Sequence, residues 1–489
     1  MTVAGVARGS LRLAMEVLAG ARRGISPRPR PRESLLLVLA GSALVAGDLS
    51  LGATTAVRSA ILETGLPPAG ADGLIRSGAG WILVAYLAAL VAAHVVQIAA
   101  GRRSDEILLP AVGLLGGLGL LLMVRLPQDL AGSLGGLARS QLVWLLLSLT
   151  LIAGLAIGVR SDAWLRRYKY TWAAVGVGLL LLTFVLGREV NEQWLTLSVG
   201  PISGQPTELL KVILVVFLAA YLSENRSLLT EGATRIGPLR LPPLPYLAPM
   251  VAMWAIALGI VVIQRDLGAA LLLFVVFLLL LYVATGRAGY VVLGLLAFVA
   301  GGGVLYALLG HVRTRVDIWL DPFAQAQDAG YQVVQGLHAF ARGGILGTGL
   351  GAGLPTIGGS LPIPALHTDF PLAAIGEELG LIGLLAVLGL YLVVVERGLR
   401  IAASARDDFS AILAAGLSLI IGVQAFIIAA GNLKLVPLTG ITLPFISYGG
   451  SSLLANGLVV GLLLALSARG AGPPSPPPPG GRAARGMAR

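Results

Sequence analysis

The chain has 489 residues, 56% of them hydrophobic and 12% charged, with a mean hydropathy of +0.87 and a net charge of +11. So few charges over this length exclude a soluble globular protein and place most of the chain in lipid. The lack of cysteine excludes disulfides and thiolate metal sites. The arginines gather in alternate loops, so the positive balance follows membrane topology and implies no nucleic-acid partner.

Residues 1–34 read as a basic N-terminal arm with Arg22, Arg23, Arg28, Arg30 and Arg32, lacking the apolar core and cleavage site of a signal peptide. Apolar runs of roughly 17 to 25 residues can cross a bilayer as helices. Twelve are predicted, near 35–54, 80–100, 107–124, 141–159, 172–187, 207–223, 245–263, 267–285, 289–309, 371–395, 409–431 and 450–467. The expected fold class is an all-α integral membrane protein, a polytopic helical bundle. Basic loops carry Arg102 and Arg103, then Arg160, Arg166, Arg167 and Lys169, then Arg226, Arg235 and Arg240, then Arg397, Arg400 and Arg406. The positive-inside rule therefore puts both termini in the cytoplasm and the long loop 311–370 outside the cell. The tail 471–489, with Pro473 to Pro479 and Arg482 and Arg485, reads as an extended cytoplasmic tether. No internal repeat divides the spans into matching halves, which argues against an inverted-repeat transporter.

Chemistry-bearing residues concentrate at the ends of spans. Three of four histidines, His311, His338 and His367, fall in the long loop, and His94 lies in an early apolar run. Their spacing with Asp369 matches no standard metal site. Thr368 and Asp369 precede Pro371, so Asp369 is readable as a helix cap or as a general base at the membrane interface. Glu377 and Glu378 follow inside a span, where acids face a cavity or a partner. Adjacent positions do not share a helix face, so only one of the two is expected to point into the bundle.

Glu208 and Lys211 share a face at i and i+3, as a structural bridge or as a polar groove lining. Asp266 sits in a short turn, where capping the next helix is the plain reading. The glycines Gly347, Gly349, Gly351 and Gly353 mimic a phosphate-binding fingerprint, but no strand precedes them and no Walker lysine occurs. A backbone nest for a pyrophosphate stays open.

Several ordered blocks then resemble the SEDS family (shape, elongation, division and sporulation) over roughly 105–470. They are Gln205-Pro206-Thr207-Glu208 with Lys211; Gln264-Arg265-Asp266-Leu267-Gly268; and Asp321-Pro322, Gly330-Tyr331-Gln332 and Gly343-Gly344 in the long loop. His367-Thr368-Asp369-Phe370 follows, with Gly376-Glu377-Glu378-Leu379-Gly380, and then Leu443-Pro444-Phe445-Ile446-Ser447-Tyr448-Gly449-Gly450-Ser451-Ser452. The resemblance implies a ten-helix transmembrane glycosyltransferase core at 105–470, its catalytic loop at 311–370, preceded by two additional helices at 35–104. It implies peptidoglycan glycosyltransferase activity on lipid II at the bacterial plasma membrane, with a class B penicillin-binding protein and membrane lipids as partners.

The resemblance puts the essential aspartate on Asp369. It puts Glu208, Lys211, Asp266, His367, Thr368, Ser447, Ser451 and Ser452 at the substrate. Arg265 stands where the family usually has proline, and 361–366 lacks the glutamate commonly found before the histidine.

A sugar on undecaprenyl pyrophosphate already has a good leaving group, so one base for the acceptor hydroxyl suffices. The departing pyrophosphate needs positive charge, from arginine, lysine or a divalent cation such as magnesium or manganese, and the sequence leaves that cofactor open. Two rivals are a lipid II flippase using Glu377, Glu378, Glu208 and Lys211 as an ion-coupled path, and a non-catalytic scaffold of cell-wall synthesis.

Overall fold

The computed structural model describes residues 27–64, 79–130, 135–190, 193–199, 202–227, 234–236, 239–241, 244–353 and 361–470. The arm before residue 27 and the proline-rich tail lie outside them. Every predicted span falls on a helix: α1 (Pro31–Thr64), α2 (Trp81–Ala100), α3 (Leu108–Arg125), α4 (Leu137–Gly158), α5 (Lys169–Leu186), α6 (Pro206–Glu224), α7 (Leu244–Ile263), α8 (Leu267–Thr285) and α9 (Ala288–Leu308). Two loop helices follow, α10 (Gly310–Leu320) and α11 (Tyr331–Gly343), then α12 (Pro371–Ala403), α13 (Asp408–Asn432) and α14 (Gly450–Gly470). Among the described residues ten helices are long and apolar enough to cross a membrane; α5 and α7 carry only the shorter apolar stretches Lys169–Thr183 and Met250–Ile263.

Ends are set by local chemistry. Pro206 and Pro371 open α6 and α12, where a missing N–H costs nothing. Asp407 caps α13 by accepting from Ser410 N at 2.9 Å. Left-handed glycines Gly101 and Gly286 end α2 and α8. Beyond the helices, two short antiparallel hairpins join spans: a three-stranded one over Arg188–Val190, Gln193–Val199 and Ile202–Gly204, and another over Thr234–Ile236 and Leu239–Leu241.

Central and peripheral helices separate clearly. In α3, α6 and α13, 78% of the apolar window is buried, against none in α9, whose Val292, Leu296 and Val299 face outward for lipid. Glycines let α3 sit in the middle: a Cβ at Gly119 would come within 2.5 Å of the Ile446 carbonyl oxygen.

The described part of the 311–370 stretch is built around α10 and α11. The apolar face of α11, with Val333, Val334 and Ala339 buried, lies on the start of α12. A Cβ at Gly343 would stand 1.9 Å from the Gly376 carbonyl oxygen. Helix α12 breaks at Gly380 (φ 66°, ψ −167°). Beyond the break Leu381 N and Ile382 N donate to the loop carbonyls of Gly344 and Ile345, at 2.9 and 3.2 Å.

Candidate active site

The segment before α12 is tied from several sides. Thr368 N and Asp369 N both donate to Ala365 O, at 3.0 and 2.9 Å. Tyr448 N donates to His367 O at 2.8 Å, Ser447 Oγ to Thr368 O at 2.5 Å, and Asn432 Nδ2 to Asp369 O at 3.0 Å. Asp369 does not cap: the N-cap of α12 is Phe370, and no side chain bonds there. Of the two readings open in the sequence, capping is therefore removed. The carboxylate instead faces a cavity of about 220 Å³ lined also by Arg315, Trp319, Gln332 and Lys434.

The 438–440 turn closes one wall. Arg315 Nη1 donates to Leu438 O and Thr439 O, each at 3.0 Å. Gly440 adopts φ 71°, and a Cβ there would lie 3.6 Å from Asp369 Oδ2 and 3.9 Å from the Arg315 guanidinium nitrogens. The positive φ favours glycine there, and its lack of a side chain leaves the space between carboxylate and guanidinium open. Burial raises the Asp369 pKa above the usual carboxylate value, opposed by the Thr368 hydrogen bond and the Arg315 charge. Burial lowers the pKa of Arg315, which Asp266 and Asp369 partly offset.

Arg315, Lys434 and Gly440 were not singled out by sequence reasoning as site residues. Arg315 has a readable signal: a basic residue on a loop helix otherwise facing apolar neighbours. Lys434 shows only as one of three lysines in the chain.

Glu208, Lys211 and Asp266 gather beside this cavity. Lys211, 2% exposed, donates to Glu208 Oε2 at 2.6 Å and to Gln424 Oε1 at 2.7 Å. Gln424 Nε2 reaches Thr442 O at 2.7 Å, and Thr442 Oγ1 reaches Ser452 Oγ at 2.7 Å. Asp266 does cap α8, accepting from Ala269 N at 3.0 Å. Burial also pushes its pKa up to about 6; Glu208 adds to the rise, while the Ala269 N–H, Arg315 and Thr207 oppose it. Arg315 thus stands between Asp266 and Asp369.

Arg265 takes φ 62°, which a proline ring cannot adopt, so this turn is built differently from one with the family's usual residue. Ser447 and Ser451 serve the backbone: Ser447 Oγ accepts from Leu443 N at 2.8 Å, and Ser451 Oγ accepts from Gln205 N at 2.9 Å. Ser452 is buried between Thr442 and Asn456.

Other expectations change. Glu377 and Glu378 are both buried, because α11 covers one and the glycine segment the other. Arg342 Nε donates to Glu377 Oε1 at 3.0 Å, and Arg125 pairs with Glu378. The glycines make no free nest: Gly349 N donates to Glu378 O at 2.9 Å and Gly351 N to Glu378 Oε2 at 3.2 Å.

The histidines do not converge. His94 bonds Glu33 and Ser34 far from the loop, and His338 is exposed. His367 is partly buried beside Tyr448, and burial lowers its pKa. Among the described residues no three metal-type side chains cluster. A divalent cation at the cavity would meet one lining carboxylate, Asp369.

The family model FtsW/RodA/SpoVE, described as "Cell cycle protein", matches residues 106–471. "Peptidoglycan glycosyltransferase RodA" of Mycobacterium tuberculosis is 41% identical over 402 residues, covering 80% of this chain and 84% of that one. "Probable peptidoglycan glycosyltransferase FtsW" of Geobacter sulfurreducens is 35% identical over 335 residues, covering 65% and 84%.

Two solved structures share the fold. One, titled "Structural coordination of polymerization and crosslinking by a peptidoglycan synthase complex", has a TM-score of 0.62 at 26% identity, over 76% of this chain and 99% of that one. The other, the rod shape determining protein RodA of Thermus thermophilus, gives 0.53 at 26% identity, over 75% and 97%. With the matched residues holding the cavity and the motif blocks around it, the chain is a multi-pass membrane protein that belongs to the SEDS family of FtsW, RodA and SpoVE.

Proposed function

We propose that this peptidoglycan glycosyltransferase polymerises lipid II into β-1,4 glycan strands with Asp369 as the general base. The observation that carries the reading is the cavity that sets one carboxylate beside two cations, Arg315 and Lys434. Asp369 takes the proton of the acceptor 4-hydroxyl, whose oxygen attacks the anomeric carbon of the donor. The bond from that carbon to the pyrophosphate oxygen breaks, inverting an α-linked donor to a β product. Arg315 and Lys434 meet the departing pyrophosphate. A base whose pKa lies above the usual carboxylate value accepts that proton more readily at neutral pH.

Glu208, Lys211 and Asp266 hold the adjoining wall of the groove. His367, Thr368, Ser447, Ser451 and Ser452 position the Asp369 segment and its neighbours. Twelve crossings, with the loop 311–370 outside and both termini in the cytoplasm, follow from the arginine pattern. Residues 35–104 form an addition to a catalytic core at 105–470. A class B penicillin-binding protein is the proposed partner, supported by the likeness to a synthase complex that coordinates polymerization and crosslinking.

The test is glycan synthesis from lipid II by reconstituted wild type and Asp369→Asn, with the partner's own glycosyl transfer excluded. Because Asp369 makes no cap bond, the variant keeps its thermal stability while synthesis falls by about 10²–10⁴-fold. Near-normal synthesis would take Asp369 out of the mechanism. Normal synthesis with altered lipid movement across the bilayer would favour a flippase.

A further inference from the structure

Helices α1 and α2 lie before residue 106, where the family match begins, yet polar bonds and close packing tie them to the rest of the bundle at several levels. At the end opposite the long loop, Arg30 (3% exposed) donates to Ser104 Oγ and Asp105 O, each at 2.7 Å, and to Glu33. Glu33 also bonds His94 on α2 at 2.7 Å. In the middle, α3 presents glycines to both helices. A Cβ at Gly113 would meet Leu90 at 2.8 Å, and one at Gly117 would meet Leu44 at 2.3 Å; Tyr86 Oη donates to Gly113 O at 2.7 Å.

At the loop end the contact passes from the core to the loop itself. Thr54 Oγ1 lies 2.9 Å from Leu350 O and 2.7 Å from Ser50 O, so its one hydrogen is shared between the loop and its own helix. A Cβ at Gly351 would stand 2.9 Å from Thr54 Cβ and 3.2 Å from Leu51, so α1 touches the loop backbone directly. That same backbone grips α12. Gly349 N and Gly351 N donate to Glu378, Thr348 N donates to Glu377 O at 2.9 Å, and Arg125 Nη2 donates to Gly353 O at 2.6 Å. Between them Gly47 and Leu51 of α1 share a small cavity with Arg125 and Glu378.

We infer that the N-terminal hairpin is a positioning element of the transfer reaction, in which Thr54 and Leu51 press the 347–353 backbone onto Glu378. The contact fixes the first part of α12, which opens two residues after Asp369. Neither hydrogen bond of Thr54 reaches a residue lining the Asp369 cavity, so it acts through the loop. The inference rests on the assignment of Asp369 as base, and it gives the hairpin a task that a bare membrane anchor would not have.

The experiment uses the full chain reconstituted in lipid, with lipid II as substrate. The absence of native cysteine lets a single spin label be placed at exposed Ala352 through Ala352→Cys. In that background Thr54→Val removes the hydroxyl at nearly constant volume, and Thr54→Ser keeps it. The expected result for Thr54→Val is a kcat lower by about five- to tenfold, short of the ~100-fold that a 1 Å misplacement can cost. KM stays within about twofold, the label becomes more mobile, and Thr54→Ser restores both readouts.

Unchanged kcat in Thr54→Val would overturn the inference, whatever the label does. So would a loss that follows the folded fraction by thermal unfolding and is not restored by serine. A parent protein that makes no glycan overturns the transferase reading instead, and is distinguishable from both.

Discussion

Arg315→Gln isolates the electrostatic part of the mechanism. Glutamine keeps a donor for the Leu438 and Thr439 carbonyls and removes the positive charge. The Asp369 carboxylate and the Arg315 guanidinium flank one point at Gly440, so they are separated by at most about 7.5 Å, the sum of the two distances. At that separation an effective dielectric of ~20 gives an attraction of about 2 kcal/mol, or roughly 1.5 pKa units.

Arg315 opposes the upward shift of Asp369, so its removal raises the pKa further. The base works only when ionised, so the acid limb of kcat/KM moves to higher pH by about 1 to 1.5 units. Rates are measured as glycan formed per minute by reconstituted protein between about pH 5 and 9. Asp266, pushed up to about 6, is the other group that faces Arg315 and titrates nearby, and Glu208 adds to its rise. An Asp266→Asn protein therefore serves as the control, and its limb should keep the position set by Asp369. An acid limb that stays put or moves down in Arg315→Gln would refute the electrostatic coupling.

Two further outcomes follow from buried pairing and from topology. Lys211→Met leaves Glu208 without its cation in a nearly closed setting, a loss of about 3–5 kcal/mol for a buried pair. Glu208→Gln together with Lys211→Met should cost clearly less than the two single changes added, and strict additivity in thermal unfolding would exclude direct coupling. Cysteine at exposed Gln327 should react with an impermeant thiol reagent in intact cells, whereas cysteine at Ser404 should react only after lysis; outside labelling of Ser404→Cys would invert the orientation.

The spans were legible because lipid demands long apolar runs, and each predicted run coincides with a helix. What periodicity could not give was depth in the bundle: α3 and α9 are both apolar, yet one is central and the other peripheral. Of the motif residues, Gln332 and Asp369 line the cavity, while Glu208, Lys211 and Asp266 lie beside it. Arg315 escaped because its role depends on the fold, which brings residue 315 to the 438–440 turn. The glycines of the loop left a backbone nest open for a related reason. Their spacing resembles a phosphate cradle, and only tertiary contact reveals that Glu378 occupies the N–H groups of Gly349 and Gly351.

The break at Gly380 has a consequence for how the protein is assembled. A kinked helix strands amides that a bilayer interior has no means to satisfy, since hydrocarbon offers no acceptors. Here Leu381 and Ile382 borrow the carbonyls of Gly344 and Ile345. The loop is thereby part of the helix's own hydrogen-bond ladder, and the two must come together as the chain matures. Because the exchange is backbone to backbone, one inserted or deleted residue along 343–351 would shift every partner, and Gly343, Gly347 and Gly351 pack too closely to take a side chain. Chimaeras that graft this loop between relatives should succeed or fail on its length.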